Sequence, residues 1–442
     1  MTGHPHARTD RERRTPAMRG LLLLLAVMLT GLPVPAVHAQ EAMEIELPGG
    51  TAMALTHYAG SGKRLVIWLP SERGLGSGHV PVALGLSDQD VDVWAVDLHG
   101  SYLEPTGRRS VAAFEAADLR DLIHEAVNQG FERVLVFASG RVAQLALAAG
   151  RLWQQERQGS ELVGFAFVHP HLIEETFTIG EEAGYVPVAR ANRWPVLLIQ
   201  PEYSTKFART GDISAALSES GGAVFTQALR GVKGGFHARP DNDLEARDFE
   251  ARERLPAILI RTMNLMARMP TPEPDGRSVD TQADNGTRKH ARTSRLHPFS
   301  GDPQPPALAL EVLDEERTLD LEALKGEVVL VNFWATWCGP CLEEIPSMAR
   351  LVKRLEGTGF HVLAVNIGED AERIHAFTKD LGVNFPVLLD RDGKAVRDWK
   401  VYAYPSNYLV GRDGRIRYAY RGALDWDSEP VVETIEELLR EN

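Results

Sequence analysis

A continuous apolar run of buried-strand length, VVLVNFW at 328–334, leads almost directly into a helical pattern. Apolar residues such as Leu342 and Ile345 recur in this pattern at the spacing of a helix that is buried on one face. Cys338 and Cys341, the two cysteines of the 442-residue chain, fall at the junction. The pattern therefore predicts a βα unit with both cysteines at the start of its helix.

The position of the two cysteines predicts different roles for them. At a helix N-terminus, unpaired N–H groups and the positive end of the helix dipole stabilise a thiolate, which we expect for Cys338. Cys341 lies one turn deeper and is expected to be shielded. Pro340 suits the first helical turn, where its missing N–H is no loss. An accessible thiol followed by a shielded one is the arrangement that two-step disulfide exchange requires.

Three other interpretations of the cysteine pair fit the sequence less well. A zinc site needs four ligands, and His361 and His375 lie too far apart to complete one, so no metal is predicted. A peroxidase of the peroxiredoxin type would place a threonine three residues before its reactive cysteine, where Ala335 stands here. A purely structural disulfide with this spacing would close almost no loop and stabilise little. Redox activity is therefore favoured.

The rest of the C-terminal region alternates between strand and helix patterns. Strands are predicted at 361–367, 385–389, 406–411 and 415–422, and helices at 370–382 and 427–442. This alternation predicts an α/β domain.

Residues 306–442, with the sequence WCGPC after a buried strand, resemble the TlpA/ResA-type thiol-disulfide oxidoreductases, an exported branch of the thioredoxin fold. The resemblance implies that Cys338 is the nucleophile and Cys341 the resolving cysteine. It also implies that the Tyr404-Pro405 peptide bond is cis, a form that is common only before proline. The Cys338–Cys341 disulfide would itself be the redox centre, with no further cofactor. Gly339 and Pro340 are shared with thioredoxin, so a reductant is expected.

Four neighbouring residues qualify the resemblance. Asn332 stands where thioredoxins proper have a buried aspartate, so no proton relay can run through that position. Glu344 matches an acidic residue of the TlpA/ResA type; it either tunes the cysteines and shuttles their proton or is a solvated glutamate in the first helical turn. Tyr404 is larger than the residues usual before the cis-proline, which bears on substrate preference. Trp337 is interpreted as either packing or contact surface.

The N-terminus predicts export. Arginines precede the apolar run at 20–32, and a small-residue cleavage pattern ends at Ala39, so residues 1–39 are interpreted as a signal peptide. The run is short for a membrane span, and an uncleaved membrane anchor is the alternative. The protein would then be periplasmic or otherwise exported. The net charge of −13 leaves no basic face for phosphates, so nucleic acid is not an expected partner.

A second composition change divides the remaining chain. Residues 269–305 are rich in Pro, Gly, Asp, Thr and Arg and predict a flexible linker, which by itself would hold no fixed interface between two independently folding domains. In residues 43–268, strand patterns at 64–70, 91–98, 133–139, 162–170 and 194–201 alternate with helical ones and predict an α/β domain. The order of elements resembles the α/β-hydrolase fold, with Ser139 near the place of the nucleophile and His237 near that of the late histidine. However, Phe137 and Arg141 are too large for the neighbours of a nucleophile elbow at Ser139.

Centring the elbow instead on Gly140 leaves it without a nucleophile. The sequence thus predicts an α/β-hydrolase-like domain joined by a flexible linker to a C-terminal thioredoxin fold. The leading hypothesis is an exported enzyme that reduces disulfides of exported client proteins, fed by a membrane thiol electron donor, as the resemblance implies, with cytochrome c maturation as one setting. The alternatives are a serine hydrolase with an accessory redox domain, and a client-binding module that recruits substrates to Cys338.

Overall fold

The computed structural model describes residues 40–156, 159–174, 177–276, 279 and 296–441. The predicted signal peptide at 1–39 and the middle of the predicted linker lie outside these residues. From His38 to Asn442 the chain forms one compact unit that contains an eight-stranded and a six-stranded sheet. The architecture is mixed α/β, as the sequence predicts. In the described ranges, no helix is both long enough and apolar enough to span a membrane.

The eight-stranded sheet belongs to the first domain. Its strands are β1 (Gln40–Glu46), β2 (Ala52–Tyr58), β3 (Arg64–Trp68), β4 (Asp92–Val96), β5 (Arg133–Ser139), β6 (Leu162–Val168), β7 (Val196–Tyr203) and β8 (Val224–Lys233). They lie in the order β1-β2-β4-β3-β5-β6-β7-β8. β2 is antiparallel to β1 and β4, whereas the pairs from β4 through β8 are parallel. The five strands predicted here are confirmed; β1, β2 and β8 were not predicted.

Helices cover both faces of this sheet, because parallel neighbours need crossover connections. The helices are α1 (His79–Ser87), α2 (Leu98–Ser101), α3 (Ala116–Asn128), α4 (Val142–Gln155), α5 (Pro187–Arg190), α6 (Thr210–Ser218) and α7 (Ala246–Met266), with 3₁₀ turns at Ser110–Ala113, Phe207–Arg209 and Asp241–Asp243. α1 and α7 pack on one face, and α3 and α4 pack on the other. Strands that are buried on both faces are apolar throughout, which is why β3, β5 and β6 could be predicted from sequence.

The six-stranded sheet belongs to the second domain. Its strands are β9 (His297–Pro298), β12 (Val328–Trp334), β13 (Phe360–Ile367), β14 (Val387–Asp390), β15 (Ser406–Val410) and β16 (Ile416–Arg421), and a separate hairpin consists of β10 (Ala309–Glu311) and β11 (Thr318–Asp320). The order is β14-β13-β12-β15-β16-β9. β12 is parallel to β13 and antiparallel to β15, so the strand that leads to the cysteines lies in the middle of the sheet.

The helices of the second domain complete a thioredoxin fold. They are α8 (Gly339–Arg354), α9 (Ala371–Leu381), α10 (Lys394–Asp398) and α11 (Glu429–Arg440), with a 3₁₀ turn at Leu321–Leu324. α8 and α11 pack together on one face of the sheet through residues such as Met348 and Val432, which are fully or almost fully buried. The fold fixes α8 at the end of β12, as predicted.

The described ends of the predicted linker pack against the two domains. Arg151 donates a hydrogen bond to Asp275 at 2.9 Å, which fixes the chain after α7 to α4. At the other end, Leu296 is buried in the second domain. β9 then pairs with β16, so the sheet of the second domain begins before the predicted boundary at residue 306. These described ends of the segment 269–305 are therefore parts of the two domains and not of a flexible linker.

The two domains also contact each other, which the linker composition alone did not predict. Tyr402 of the second domain donates a hydrogen bond to Glu182 and accepts one from the Ala183 N–H at 3.1 Å. The Arg209 guanidinium lies 3.9 Å from the centre of the Tyr402 ring. Ala183 and Tyr402 are buried in this contact, whereas Glu182 lies at its exposed edge. The two domains are therefore joined by these side-chain and backbone contacts as well as by the chain between them.

Candidate redox site

The start of α8 positions the two cysteines. Cys338 is the N-cap residue, and Pro340 lies in the first turn, as predicted. Cys338 and Cys341 form a disulfide with their sulfurs 2.07 Å apart and their Cα atoms 5.3 Å apart. One helical turn therefore brings the two sulfurs into bonding range.

The two sulfurs differ in environment. Cys338 is 7% exposed and Cys341 is fully buried. The Cys338 sulfur accepts a hydrogen bond from the Cys341 N–H at 3.3 Å, so a backbone donor at the helix N-terminus points at it. Both this N–H and the helix dipole stabilise negative charge on Cys338 in the dithiol form. Gly339 and Pro340 are exposed beside it, so a substrate can approach Cys338 from this side.

The cis-proline loop lies next to the cysteine loop. The Tyr404-Pro405 bond is cis, and Ser406, which follows it, pairs with Phe333 near the end of β12. The ring of Tyr404 makes an edge contact with Trp337, with ring centres 5.8 Å apart. Burial raises the pKa of the Tyr404 hydroxyl above its usual range. The predicted residues Trp337 and Tyr404 thus pack together beside the disulfide.

Glu344 is a buried carboxyl that shares a face of α8 with Cys341. Only 1% of its surface is exposed, so it is not a solvated glutamate. Asn332 Nδ2 donates to Oε1 at 2.8 Å, while the Leu424 N–H and Trp426 Nε1 donate to Oε2 at 3.3 and 3.2 Å. Residues three apart on a helix are neighbours, which places this carboxyl near the resolving cysteine.

Two opposing effects set the acidity of Glu344. Burial raises its pKa, because the charged form has lost water, while hydrogen bonds from Trp426, Leu424, Asn332 and Asn407 favour the carboxylate and lower it. Burial is the larger effect, and the pKa of Glu344 rises to about 8. The carboxyl can therefore gain or lose a proton near neutral pH. Asn332 is itself uncharged, but it donates a hydrogen bond to Glu344, the group that carries the charge.

A second buried carboxylate, which the sequence analysis missed, supports the cysteine loop. Glu369 follows β13 and accepts hydrogen bonds from the Thr336 N–H at 2.7 Å and from the Thr336 hydroxyl. Asn366 Nδ2 also donates to it at 2.8 Å. Arg373 Nε donates to the Thr336 hydroxyl at 2.8 Å. Since Thr336 precedes Cys338 by two residues, this cluster fixes the backbone at the entrance to the redox site.

In the first domain, the turn after β5 carries the predicted hydrolase residue Ser139. Ser139 is the last residue of the strand and is buried. Gly140, the next residue, has a φ of +61°, a conformation that glycine adopts most easily. A Cβ at Gly140 would lie 2.3 Å from a carboxylate oxygen of Glu72. The sharp strand-to-helix turn is thus centred on Gly140, and the carboxylate of Glu72 occupies the space above it.

Glu72 is held at this turn as an anion. The Arg141 N–H donates to its carboxylate at 3.1 Å. Burial raises the pKa of Glu72, but the N–H groups of Arg141 and Glu72 and the charges of Arg141 and Lys206 lower it below its usual range overall. In α/β-hydrolases the N–H of the residue after the nucleophile forms part of the oxyanion hole. The N–H of Arg141, the residue after Gly140, is engaged by an internal carboxylate.

His237 lies among aromatic rings, and no acidic side chain of the described residues forms a hydrogen bond with it. It is buried against the rings of Phe137 and Phe236, each 5.5 Å away between ring centres. Burial lowers its pKa to about 3. Within the described ranges, His237 Nδ1 has no hydrogen-bond partner, and no hydrogen bond joins His237 to Ser139. The same part of the chain contains no group of three or more His, Cys, Asp or Glu that could hold a metal ion.

A disulfide at the start of a helix, with one sulfur accessible and a cis-proline beside it, in a thioredoxin fold, defines a thioredoxin-like thiol-disulfide oxidoreductase. The Redoxin family matches residues 299–437. ResA of Bacillus subtilis (strain 168), a thiol-disulfide oxidoreductase, is 38% identical over 119 residues, which are 27% of this chain and 66% of that protein. Through its C-terminal domain the chain belongs to the TlpA/ResA-type family of these enzymes, as the sequence predicted.

Two further relatives extend the comparison. ResA of Bacillus thuringiensis subsp. konkukian is 30% identical over 126 residues, which are 28% of this chain and 69% of that protein. Among solved structures, a thiol:disulfide interchange protein of the thioredoxin family from Chlorobium tepidum is 24% identical, with a TM-score of 0.27. The match covers 32% of this chain and 99% of that one. None of these matches includes the first domain as a whole, since the shares of this chain are about a third or less.

Proposed function

We propose that this protein reduces disulfide bonds of other proteins through Cys338 and Cys341. The observation that supports this most directly is the disulfide at the start of α8, in which Cys338 is accessible and Cys341 is not. A client can reach the first sulfur only. This difference supports attack by Cys338 and resolution by Cys341.

The reaction proceeds in two exchanges. The Cys338 thiolate attacks one sulfur of the client disulfide, whose S–S bond breaks and releases the other sulfur as a thiolate. Cys341 then loses its proton, and its sulfur attacks the Cys338 sulfur. This step releases the second client thiol and forms the Cys338–Cys341 disulfide. The client gains two electrons and, from solvent and protein, two protons, and the enzyme becomes oxidised.

Glu344 supplies the base for the second exchange. Its pKa of about 8 gives a carboxylate fraction near neutral pH that accepts the proton of Cys341. Because both groups are buried, water does not compete for this proton. Tyr404, Pro405 and Trp337 form the contact surface for the client beside Cys338.

The direction of electron flow is proposed from the dipeptide between the cysteines. Gly339 and Pro340 are shared with thioredoxin, a reductant with a potential near about −270 mV. Two measurements test this proposal. One is equilibration with glutathione, and the other is insulin reduction by wild type, Cys338→Ser and Cys341→Ser. Both variants should lose turnover, and Cys341→Ser should trap mixed disulfides. A potential as oxidising as that of DsbA, about −120 mV, would make the protein a disulfide donor instead.

The cellular setting is part of the same proposal. The arginine-rich start and apolar run of residues 1–39 support export, either with cleavage or as an uncleaved anchor. Exported clients with disulfides and a membrane thiol electron donor would be its partners, and cytochrome c maturation is one process that needs such a reductant. Isolation of clients trapped on Cys341→Ser from the exported fraction tests this setting; only cytoplasmic clients would contradict it.

We further propose that the first domain has an α/β-hydrolase-like fold without hydrolase activity. The strand order, the antiparallel β2 and the tight turn between β5 and α4 support the fold. Gly140 at the centre of that turn and the carboxylate of Glu72 above it argue against an acyl-transfer site at Ser139. The remaining role is that of a module that supports the redox domain or binds its clients.

A further inference from the structure

An ion pair connects the first domain to the loop that carries the redox cysteine. Arg373, in α9 of the second domain, contacts Glu245 at the N-terminus of α7 in the first domain, with Nη1 3.0 Å from Oε2. The Arg373 guanidinium also lies 5.0 Å from the ring centre of Tyr203, which ends β7. One arginine of the redox domain is thus held between two elements of the first domain.

Arg373 also reaches the cysteine loop, through a different guanidinium nitrogen, Nε. Arg373 Nε donates to the Thr336 hydroxyl at 2.8 Å and to Glu369 Oε1 at 3.2 Å. Glu369 in turn accepts the Thr336 N–H, so the residue two positions before Cys338 is fixed through both its backbone and its side chain. Glu245 therefore contacts Arg373 directly, and Arg373 in turn contacts Thr336 and Glu369 directly.

Charged groups fix one end of this connection in the first domain. Glu245 also pairs with Lys233, at 2.7 Å from Nζ to Oε1, and caps α7, so its carboxylate is fixed from the first domain. Arg373 lies between this carboxylate and the fully buried carboxylate of Glu369. If the charge of Glu245 is removed, Glu369 is the remaining carboxylate that attracts Arg373, and only the ring of Tyr203 still holds the guanidinium on the side of the first domain. The geometry at Thr336 then depends on the first domain.

We propose that the first domain is a positioning element of the redox centre, and that Arg373 transmits this effect from Glu245 to Thr336 and the backbone before Cys338. The contacts observed are those of the disulfide form. We take these contacts to be stronger in the disulfide form than in the dithiol form as part of the proposal, so loss of the Glu245 charge should destabilise the disulfide relative to the dithiol. The inference rests on one part of the proposed function, namely that Cys338 and Cys341 exchange with a thiol.

The experiment is a double-mutant cycle in the full chain, read out as the equilibrium between the Cys338–Cys341 disulfide and glutathione. Glu245→Gln removes the charge but keeps an oxygen that can cap α7. Thr336→Val removes the hydroxyl that Arg373 contacts. The control is Glu429→Gln, which removes a carboxylate that pairs with Arg354 at 3.0 Å within the second domain alone.

The expected result is a shift toward the dithiol of about threefold or more for Glu245→Gln and for Thr336→Val, with none for Glu429→Gln. In the Thr336→Val background, Glu245→Gln should add less than about 1.5-fold, because the connection is already broken. An unchanged equilibrium in Glu245→Gln, or fully additive shifts, would overturn the proposal. A wild-type protein that did not exchange with glutathione would instead contradict the proposed function itself.

Discussion

Glu344 Oε2 accepts a hydrogen bond from Trp426 Nε1 at 3.2 Å. The contact joins the helix of the redox cysteines to the segment before α11, more than eighty residues further along the chain. Trp426 is fully buried, so the indole N–H can donate only inside the protein. The pKa of Glu344 thus depends on Trp426, which is far from it in sequence.

The stability of the oxidised protein should fall with rising pH through Glu344. Its folded-state pKa of about 8 lies above its ordinary value of 4.5, so the stabilisation is complete below the ordinary value and is lost as the pH rises through the folded one. Urea unfolding of wild type and Glu344→Gln should show the wild type losing on the order of 3 to 5 kcal/mol relative to the variant between about pH 4 and pH 9. Glu343→Gln, at an exposed neighbouring position, is the control and should show no such change.

Trp426→Phe should raise the pKa of Glu344 above about 8. The indole N–H favours the carboxylate, and phenylalanine removes this donor while keeping an aromatic ring. Infrared spectroscopy of the carboxyl band in the oxidised protein, where the cysteines do not titrate, gives the midpoint directly. We expect the midpoint to move upward. A midpoint that stayed in place would show that Trp426 does not set the acidity of Glu344.

Alkylation of the reduced protein should occur at Cys338 first. Cys338 keeps 7% of its surface exposed and lies at the helix N-terminus, whereas Cys341 is fully buried. Iodoacetamide near pH 7 should modify Cys338 at least about tenfold faster, as determined by peptide mass spectrometry. Cys341→Ser should react like wild type and Cys338→Ser only slowly. Equal modification of both thiols would reverse the assignment of their roles.

A serine-directed fluorophosphonate should not label the first domain. The tight turn is centred on Gly140, and His237 is held among aromatic rings with a pKa near 3. Ser139→Ala should leave insulin reduction unchanged, with a serine esterase in the same sample as the positive control for labelling. Covalent labelling that disappears in Ser139→Ala would establish the serine hydrolase alternative.

A fragment of residues 296–442 should fold and reduce insulin, whereas a fragment of residues 306–442 should be less stable. The shorter fragment lacks the buried Leu296 and the strand β9, which pairs with β16. A difference of roughly 2 to 4 kcal/mol in the free energy of unfolding is expected for the loss of this packing. Denaturant unfolding of both fragments measures it, and equal stabilities would show that β9 is dispensable.

The sequence predicted the elements whose side chains are apolar throughout or apolar at helical spacing. β12 was predicted with its observed bounds, and so was β5, because a strand buried on both faces has no polar alternation to obscure it. β1 and β2 were missed; both lie toward one edge of the sheet and mix polar with apolar residues. Their formation depends on partners that local patterning does not contain.

At the candidate site, the cysteines and Pro340 could be placed from local sequence, but the environment of Glu344 could not. Glu344 lies in the second turn of α8, where the sequence alone does not show that it is buried, and the convergence of β12, β15 and the segment before α11 buries it. The approach of Glu72 to Gly140 joins residues far apart in the chain and has no sequence signal of its own. Both are tertiary effects on residues that look ordinary in isolation.

The short strand β9 has a consequence for how this domain meets unfolded chains. A bare edge strand offers its N–H and C=O groups to any extended segment and can template aggregation. At one edge of the six-stranded sheet, His297 and Pro298 pair with β16. At the other, the Leu313 N–H bonds to the Val387 carbonyl at 2.8 Å. Both margins of the six-stranded sheet are therefore covered by short segments, which limits edge-to-edge pairing with another chain.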